Sequence, residues 1–389
     1  MFQKTLVAAA LLALGSTAMA ADVAMYGRID TGLQYNRSDT GIGDAQNSLK
    51  MHSGQHDANR FGLKGSEKIS DGMTVGFQLE TGFNSDDGTF KNNDPKHEGT
   101  TLFDREAQLY IAGDFGKIGF GRMGLLRSGA GSYNLLGSVS AMTTGWGSVG
   151  DQGAILASLG TNRMDNTITY QTPELAGFKV HLQYSMGGAK SSSDAAKKAV
   201  ENESSADRYY GLGLTYTNGP LNVVGLVDTV NEASWDNAAN TGMDKKDMKS
   251  ASFAVNYDFD IARVYFLTQY FKDADALGGM PGVSSSKMEK RDQIKGWSVM
   301  TGFKAPVAGG SWRFTVGYMS AEDEGAAAAA DEDNELKRFM VGTGYDYPLS
   351  KNVSVYGAAG YWKDAYKSAN AKVDDPSNIQ VVGGMLMKF

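Results

Sequence analysis

The residues able to do bond chemistry are few and scattered. Four histidines, His52, His56, His97 and His181, are spread along 389 residues, and there is no cysteine. Without thiols the chain has no disulfide framework, no thiolate nucleophile and no cysteine-based metal site. His52 and His56 lie four apart and offer two nitrogens to a metal, but solvated rim positions explain them as well. The Gly-x-Gly-x-x-Gly runs at 119–124 and 145–150 match the dinucleotide fingerprint in letters only, because neither sits in a βαβ unit. No Gly-x-Ser-x-Gly elbow and no His-Glu-x-x-His pair occurs. The expectation is therefore no catalytic residue, no cofactor and no metal. What remains is electrostatic chemistry, carried by charged side chains on elements that must hold them in place.

Composition narrows those elements. There are 49 glycines against 7 prolines, with 10% aromatic residues, which suits many short strands. A formal net charge of -7 and a sequence pI of about 5.2 leave no basic footprint for nucleic acid. A mean hydropathy of -0.33 is too polar for a bundle of membrane helices. Residues 1–20 read as a cleaved signal peptide: Lys4, the apolar run from Leu6 to Leu14, then Ala18-Met-Ala20. Residues 21–389 are then one mature domain.

Past the signal, apolar residues recur at every second position, the period of a strand. Met73, Val75, Phe77, Leu79 and Phe83 share one face, and Thr74, Gln78 and Glu80 the other. Phe178, Val180, Leu182 and Tyr184 oppose Lys179, His181 and Gln183 in the same way. One face reads as uniformly apolar and the other as polar. Either a soluble sandwich or a membrane barrel produces this pattern, and the connections discriminate between them. Short turns, such as Ile69–Gly72, Gly113–Gly116 and Thr217–Pro220, alternate strictly with long polar stretches such as 84–102, 124–162 and 187–207. Seven short turns and eight long loops make fifteen connections, hence sixteen strands. A sandwich has no reason to keep its long loops at one end, whereas a transmembrane barrel does. Tyr26, Tyr35, Phe83, Tyr209, Tyr210, Tyr216, Tyr257 and Tyr345 fall at strand ends, as headgroup girdles require. The alternating segment Val381–Phe389 supplies a last strand to pair with the first.

Met25–Leu33, Arg60–Glu67, Gly113–Arg122, Asn166–Phe178 and the terminal Phe389, in this order and spacing, resemble the Gram-negative general porins, most closely their beta-proteobacterial branch. The resemblance covers essentially the whole mature chain. It implies an all-β, 16-stranded antiparallel barrel in the bacterial outer membrane, associated as a homotrimer among outer-membrane lipid and lipopolysaccharide. It also implies that the third long loop, 124–162, folds into the lumen, and that Phe389 acts as a signal for barrel insertion.

A porin works through the size and charge of its constriction. In strand phase, Arg28, Asp30 and Gln34 oppose Ile29 and Leu33; Arg60 and Lys64 oppose Phe61 and Leu63; Arg163 and Asp165 oppose Met164 and Ile168. The resemblance implies that Arg28, Arg60, Lys64 and Arg163 form a basic wall facing the inward loop, with Arg105 as a further member. The phase of Arg105 is that of Ala107, Leu109 and Ile111, which would turn it outward. Arg122 follows Phe120 in phase and so faces outward, where the resemblance has it meet the second loop of a neighbouring subunit; Asp86, Asp87, Asp94 and Glu98 are candidate partners. In the inward loop Asp151 is the only carboxylate, against Arg127. A basic wall with so little counter-charge predicts a passive channel for small hydrophilic solutes that prefers anions. The alternatives are a substrate-specific channel with a dedicated lumen site and a barrel hydrolase. The hydrolase would have to use His181, which has no nucleophile paired with it in sequence.

Overall fold

The computed structural model describes residues 22–41, 43–91, 101–142, 145–146, 149–150, 152–158, 162–187, 200–232, 246–278, 293–324, 335–367 and 375–389. The signal segment, Asp151, Asp94 and Glu98 lie outside them. The first stave, β1, is Ala24–Asp39, and the second, β2, comes in two pieces, Gln46–Ser53 and Arg60–Ser70. There follow β3 (Met73–Gly82), β4 (Glu106–Gly113), β5 (Gly116–Gly124), β6 (Arg163–Gln171), β7 (Phe178–Ser185) and β8 (Arg208–Asn218). The second half is β9 (Leu221–Asn231), β10 (Met248–Asp258), β11 (Arg263–Ala274), β12 (Ile294–Val307), β13 (Gly310–Asp323), β14 (Glu335–Pro348), β15 (Val353–Lys367) and β16 (Ser377–Lys388). Both pieces of β2 pair with β1, so the 17-stranded sheet has sixteen staves.

Every stave pairs antiparallel with its neighbours in sequence, and β16 returns to β1 in the register Arg28↔Lys388 through Asp39↔Ser377. The amide of Gly27 donates to Phe389 O (2.9 Å) and the amide of Phe389 to Gly27 O (3.1 Å), so pairing continues to the final residue. Closure matters because an unpaired edge amide in hydrocarbon costs several kcal/mol.

The outward phase is apolar and exposed along its length: Ile29, Leu33, Phe120, Leu182, Leu212, Phe253, Trp297 and Phe339. The inward phase departs from the expected uniform polarity. It is polar on β1–β7, with Asp30, Gln34, Glu80, Gln108, Thr169 and Gln183. From β9 onward it carries buried Leu226, Leu267, Met300, Met319, Met340 and Trp362. The reason is that this part of the inner wall faces protein instead of water. Leu125, Leu126, Leu135, Leu136, Val139 and Ile155 of the connection after β5 pack against it in one cluster. Each such side chain removed from water contributes about 1.5–3 kcal/mol. Two residues of the expected aromatic girdle also turn inward: Tyr26 donates to Glu80 Oε2 (3.0 Å) and Tyr209 to Asp228 Oδ2 (3.1 Å).

Candidate pore constriction

The polar side of the inner wall is assembled by β1–β4. The break in β2, residues 54–59, folds over the inward face of β1, entered at Gly54 with a φ of 68°. Asp30, fully buried, organises it: its backbone carbonyl accepts from Gly54 N (2.9 Å) and its Oδ2 from Asp57 N (2.7 Å). Asn59 accepts from Asp30 N and donates to Ser53 Oγ, and Tyr356 of β15 donates to Asp30 Oδ1 (2.6 Å). The break thereby presents Asp57 between two cations. Arg28 ion-pairs with Asp57, and Arg60 lies 3.1 Å from Asp57 and 3.5 Å from Glu80.

Arg105 joins the same wall. It precedes β4, so the strand phase that would turn it outward does not govern it, and its Nε donates to Glu80 Oε1 at 2.6 Å. Arg163 is buried at the start of β6, within the fields of the like-charged Arg105 and of Glu106 and Glu80. Lys64 stands apart, exposed on the inward phase nearer the short turns, with its ammonium 5.3 Å from the Tyr26 ring centre. Asp104, outside the strands, is buried beside these arginines, and burial pushes its carboxyl up.

Arg122 has a partner in its own chain. The β5–β6 register slips at Gly121 (φ 127°) and Asn166 (φ 50°), which brings Asp165 Oδ1 to 2.7 Å from Arg122 Nη1. The slip takes Asp165 out of strict phase with Thr167 and Thr169. The guanidinium also donates to Asp104 O (2.7 Å). Within its own chain, Asp165 thus counters its charge. Arg127 lies 3.5 Å from Asp228 of β9 and donates to Ala157 O (2.9 Å), so its observed carboxylate belongs to the wall and not to the loop.

Asp57, Glu80 and Glu106 are functional residues that sequence reasoning missed as counter-charges. Glu80 had the right phase, and its role was hidden only by the expectation that acids sit on the loop. Asp57 gave a weaker signal: His52–Asn59 is the one stretch of β2 in which alternation lapses. Replacing Asp57 by Asn is expected to leave Arg28 and Arg60 without their shared carboxylate and to move the zero-current potential under a salt gradient toward the chloride limit. An unchanged potential would show that this pair does not face the ion path.

Opposite this wall, the described residues of 125–158 contact the inward face of β7–β15. Gln183 accepts from Leu126 N (2.9 Å), and Asn256 donates to Ser138 O (3.2 Å). Arg313 donates to Ala141 O and Gln269 accepts from Ala157 N, both at 2.9 Å. At the far end the Trp146 ring lies 4.2 Å from that of His56, tilted by 50°, which links this segment to the break in β2. The return limb is held by Arg338 of β14, fully buried, which pairs with Asp364 of β15 (2.7 and 2.8 Å) and donates to Ala154 O and Gly278 O. Ala157–Ser158 pairs with Ala276–Leu277, so a second segment beyond β11 also packs on the inner face.

A closed sixteen-stave barrel with a charged polar wall can be compared with known proteins. The Gram-negative porin family matches residues 7–365. The chain belongs to that family. As a porin it is an outer-membrane β-barrel that gives small hydrophilic solutes a passive, water-filled route, and it is a channel, not an enzyme. Its inward His181 fits that role, lying 3.1 Å from Gln171 and 3.0 Å from Thr215. This porin is 29% identical to an outer membrane porin of Bordetella pertussis, over 93% of this chain and 94% of the relative. It is 27% identical to outer membrane porin protein 32 of Delftia acidovorans, over 93% and 90%. Among solved structures it resembles the anion-selective porin from Comamonas acidovorans, with a TM-score of 0.64 at 22% identity, covering 95% of this chain and all of that one. OmpT of Vibrio cholerae in its trimer form matches with a TM-score of 0.55 at 16% identity, covering 95% of this chain and all of that one.

Proposed function

We propose that this porin is an anion-preferring general diffusion channel that works as a homotrimer embedded among lipopolysaccharide. The observation that carries the preference is the water-facing layer of the wall. There Arg28 and Arg60, 24% and 15% exposed, share one exposed carboxylate, Asp57, while Glu80 lies behind them at 7%. The described part of the inward loop contributes no carboxylate. Fixed charge at the narrowest accessible layer acts on a passing ion within the screening length of about 8 Å at physiological salt. The Comamonas porin is named for anion selectivity and the Vibrio protein for its trimer form, which supports both parts of the reading.

Osmotic swelling of proteoliposomes tests it. Small neutral, anionic and cationic solutes of matched size should all enter, the anion fastest, and mild cross-linking should yield a three-subunit species. Faster entry of the cation would overturn the preference. Entry of one solute class alone would favour a substrate-specific channel.

A further inference from the structure

The arginine wall, taken whole, is closely balanced. Arg28, Arg60, Arg105 and Arg163 stand beside Asp57, Glu80, Asp104 and Glu106, and Arg122, on the outward phase, has its own partner in Asp165. A second positive field, added to that of the water-facing Arg28 and Arg60, lies on the inner face next to the short turns. Lys64 of β2, Lys117 of β5, Lys179 of β7, Lys304 of β12 and Lys388 of β16 all occupy the inward phase, as their register partners Gln78, Ala112, Thr215, Arg313 and Arg28 show. None has a carboxylate in ion-pair range among the described residues. Lys64 and Lys117 lie instead over tyrosine rings, Lys117 at 4.0 Å from Tyr110 and 5.0 Å from Tyr133.

The acids at this end are already engaged or face elsewhere. Asp258 pairs with Arg263 (2.8 Å), Asp346 with Arg313 (3.1 Å) and Asp71 with Lys68 (2.8 Å). Asp114, Glu174 and Asp260 sit in or beside the turns themselves, and Glu67 pairs in register with outward Val75. Asp22 precedes β1, two residues before Ala24, the register partner of Lys64.

We propose that these five lysines form a second selectivity ring at the periplasmic mouth and that this ring, more than the arginine wall, sets the preference for anions. They are spread over β2, β5, β7, β12 and β16, with none on β8–β11, and each acts on a solute that passes within the screening length of about 8 Å. Unlike the arginines, they have no carboxylate within ion-pair distance among the described residues, so Glu106 near Lys117 and Asp346 and Asp258 near Lys304 offset their field only in part. The ring would concentrate small inorganic and carboxylate anions on the periplasmic side and repel cations there. The inference rests on the anion-preferring reading and assigns it to different residues.

The cysteine-free chain supplies the test. Zero-current potentials under a KCl gradient are compared for the native protein, a K64Q/K117Q/K179Q/K304Q/K388Q variant and an R28Q/R60Q variant. The chloride-to-potassium permeability ratio is expected to fall about threefold or more in the lysine variant and less in the arginine variant. In case the fivefold variant fails to insert, Lys304→Cys alone is modified from the periplasmic side. An anionic thiol reagent should lower the ratio and a cationic one should restore it. Retention of the native ratio by the lysine variant, or by Lys304→Cys after anionic modification, overturns the proposal. If the arginine variant then loses the preference, the anion-preferring reading still stands. Potassium preference in the native protein defeats that reading itself.

Discussion

Replacing Arg338 by Met is expected to raise the single-channel conductance and to lower the temperature at which the barrel loses its folded, heat-modifiable form. Arg338 is fully buried, holds Asp364 through both carboxylate oxygens, and donates to carbonyls of both inward-folded segments, Ala154 and Gly278. Removing the cation leaves Asp364, also fully buried, with the hydroxyl of Tyr366 at 3.3 Å, and an uncompensated buried charge costs about 3–5 kcal/mol. The carbonyls lose their donor at the same time, which frees the return limb of the loop. The double variant Arg338→Met with Asp364→Leu separates the two effects. It should regain most of the thermal stability, because the buried charge is gone, while keeping the enlarged conductance, because Ala154 O still lacks its donor from β14. A native conductance in both variants would show that the loop's position does not depend on this pair.

The second large effect is expected at Gly342 and Gly360. These inward positions on β14 and β15 lie beneath the same carbonyl, Val149 O, and a Cβ at either would come closer to it than 3.0 Å. Neither partner can move cheaply, since one atom is sheet backbone and the other belongs to the residue that anchors the loop tip beside Trp146. Overpacking of this kind costs about 1–3 kcal/mol, and the loop is the softer partner. The Gly342→Ala/Gly360→Ala variant should therefore lift the loop tip, enlarge the conductance and make it noisier. Gly225 has nothing within 4 Å of a Cβ and provides the control: Gly225→Ala should leave conductance and stability as they are. Equal behaviour of the two variants would contradict the close approach of loop and wall.

The barrel was legible in the sequence because lipid imposes one rule on every stave. Outward residues must be apolar, so Ile29, Leu33, Leu182 and Phe253 announce the period whatever lies behind them. The inner face obeys no such rule. Leu267 and Met340 face inward because a loop covers them, and which loop covers which strand is a long-range fact that no local alternation encodes. The site was legible in the same proportion. Arg28 and Arg60 lie in regular strand and face the direction their phase gives. Arg105 lies just before a strand and Asp165 at a slipped register, so counting in twos places both on the wrong side. Asp57 sits where a strand is interrupted, and its position depends on the buried Asp30 and Tyr356, which are 326 residues apart in the chain. The pairing of Ala157–Ser158 with Ala276–Leu277 joins two connections far apart in the chain, beyond the reach of any sequence period.

The zero-current potential of the native protein in a planar bilayer, recorded under a KCl gradient as channels insert, bears most directly on the claim that this barrel is an open pore with a net positive inner surface. Stable conductance steps with a potential displaced toward the chloride limit are the expected result. A potential displaced toward potassium, or no conductance from folded protein, would contradict it.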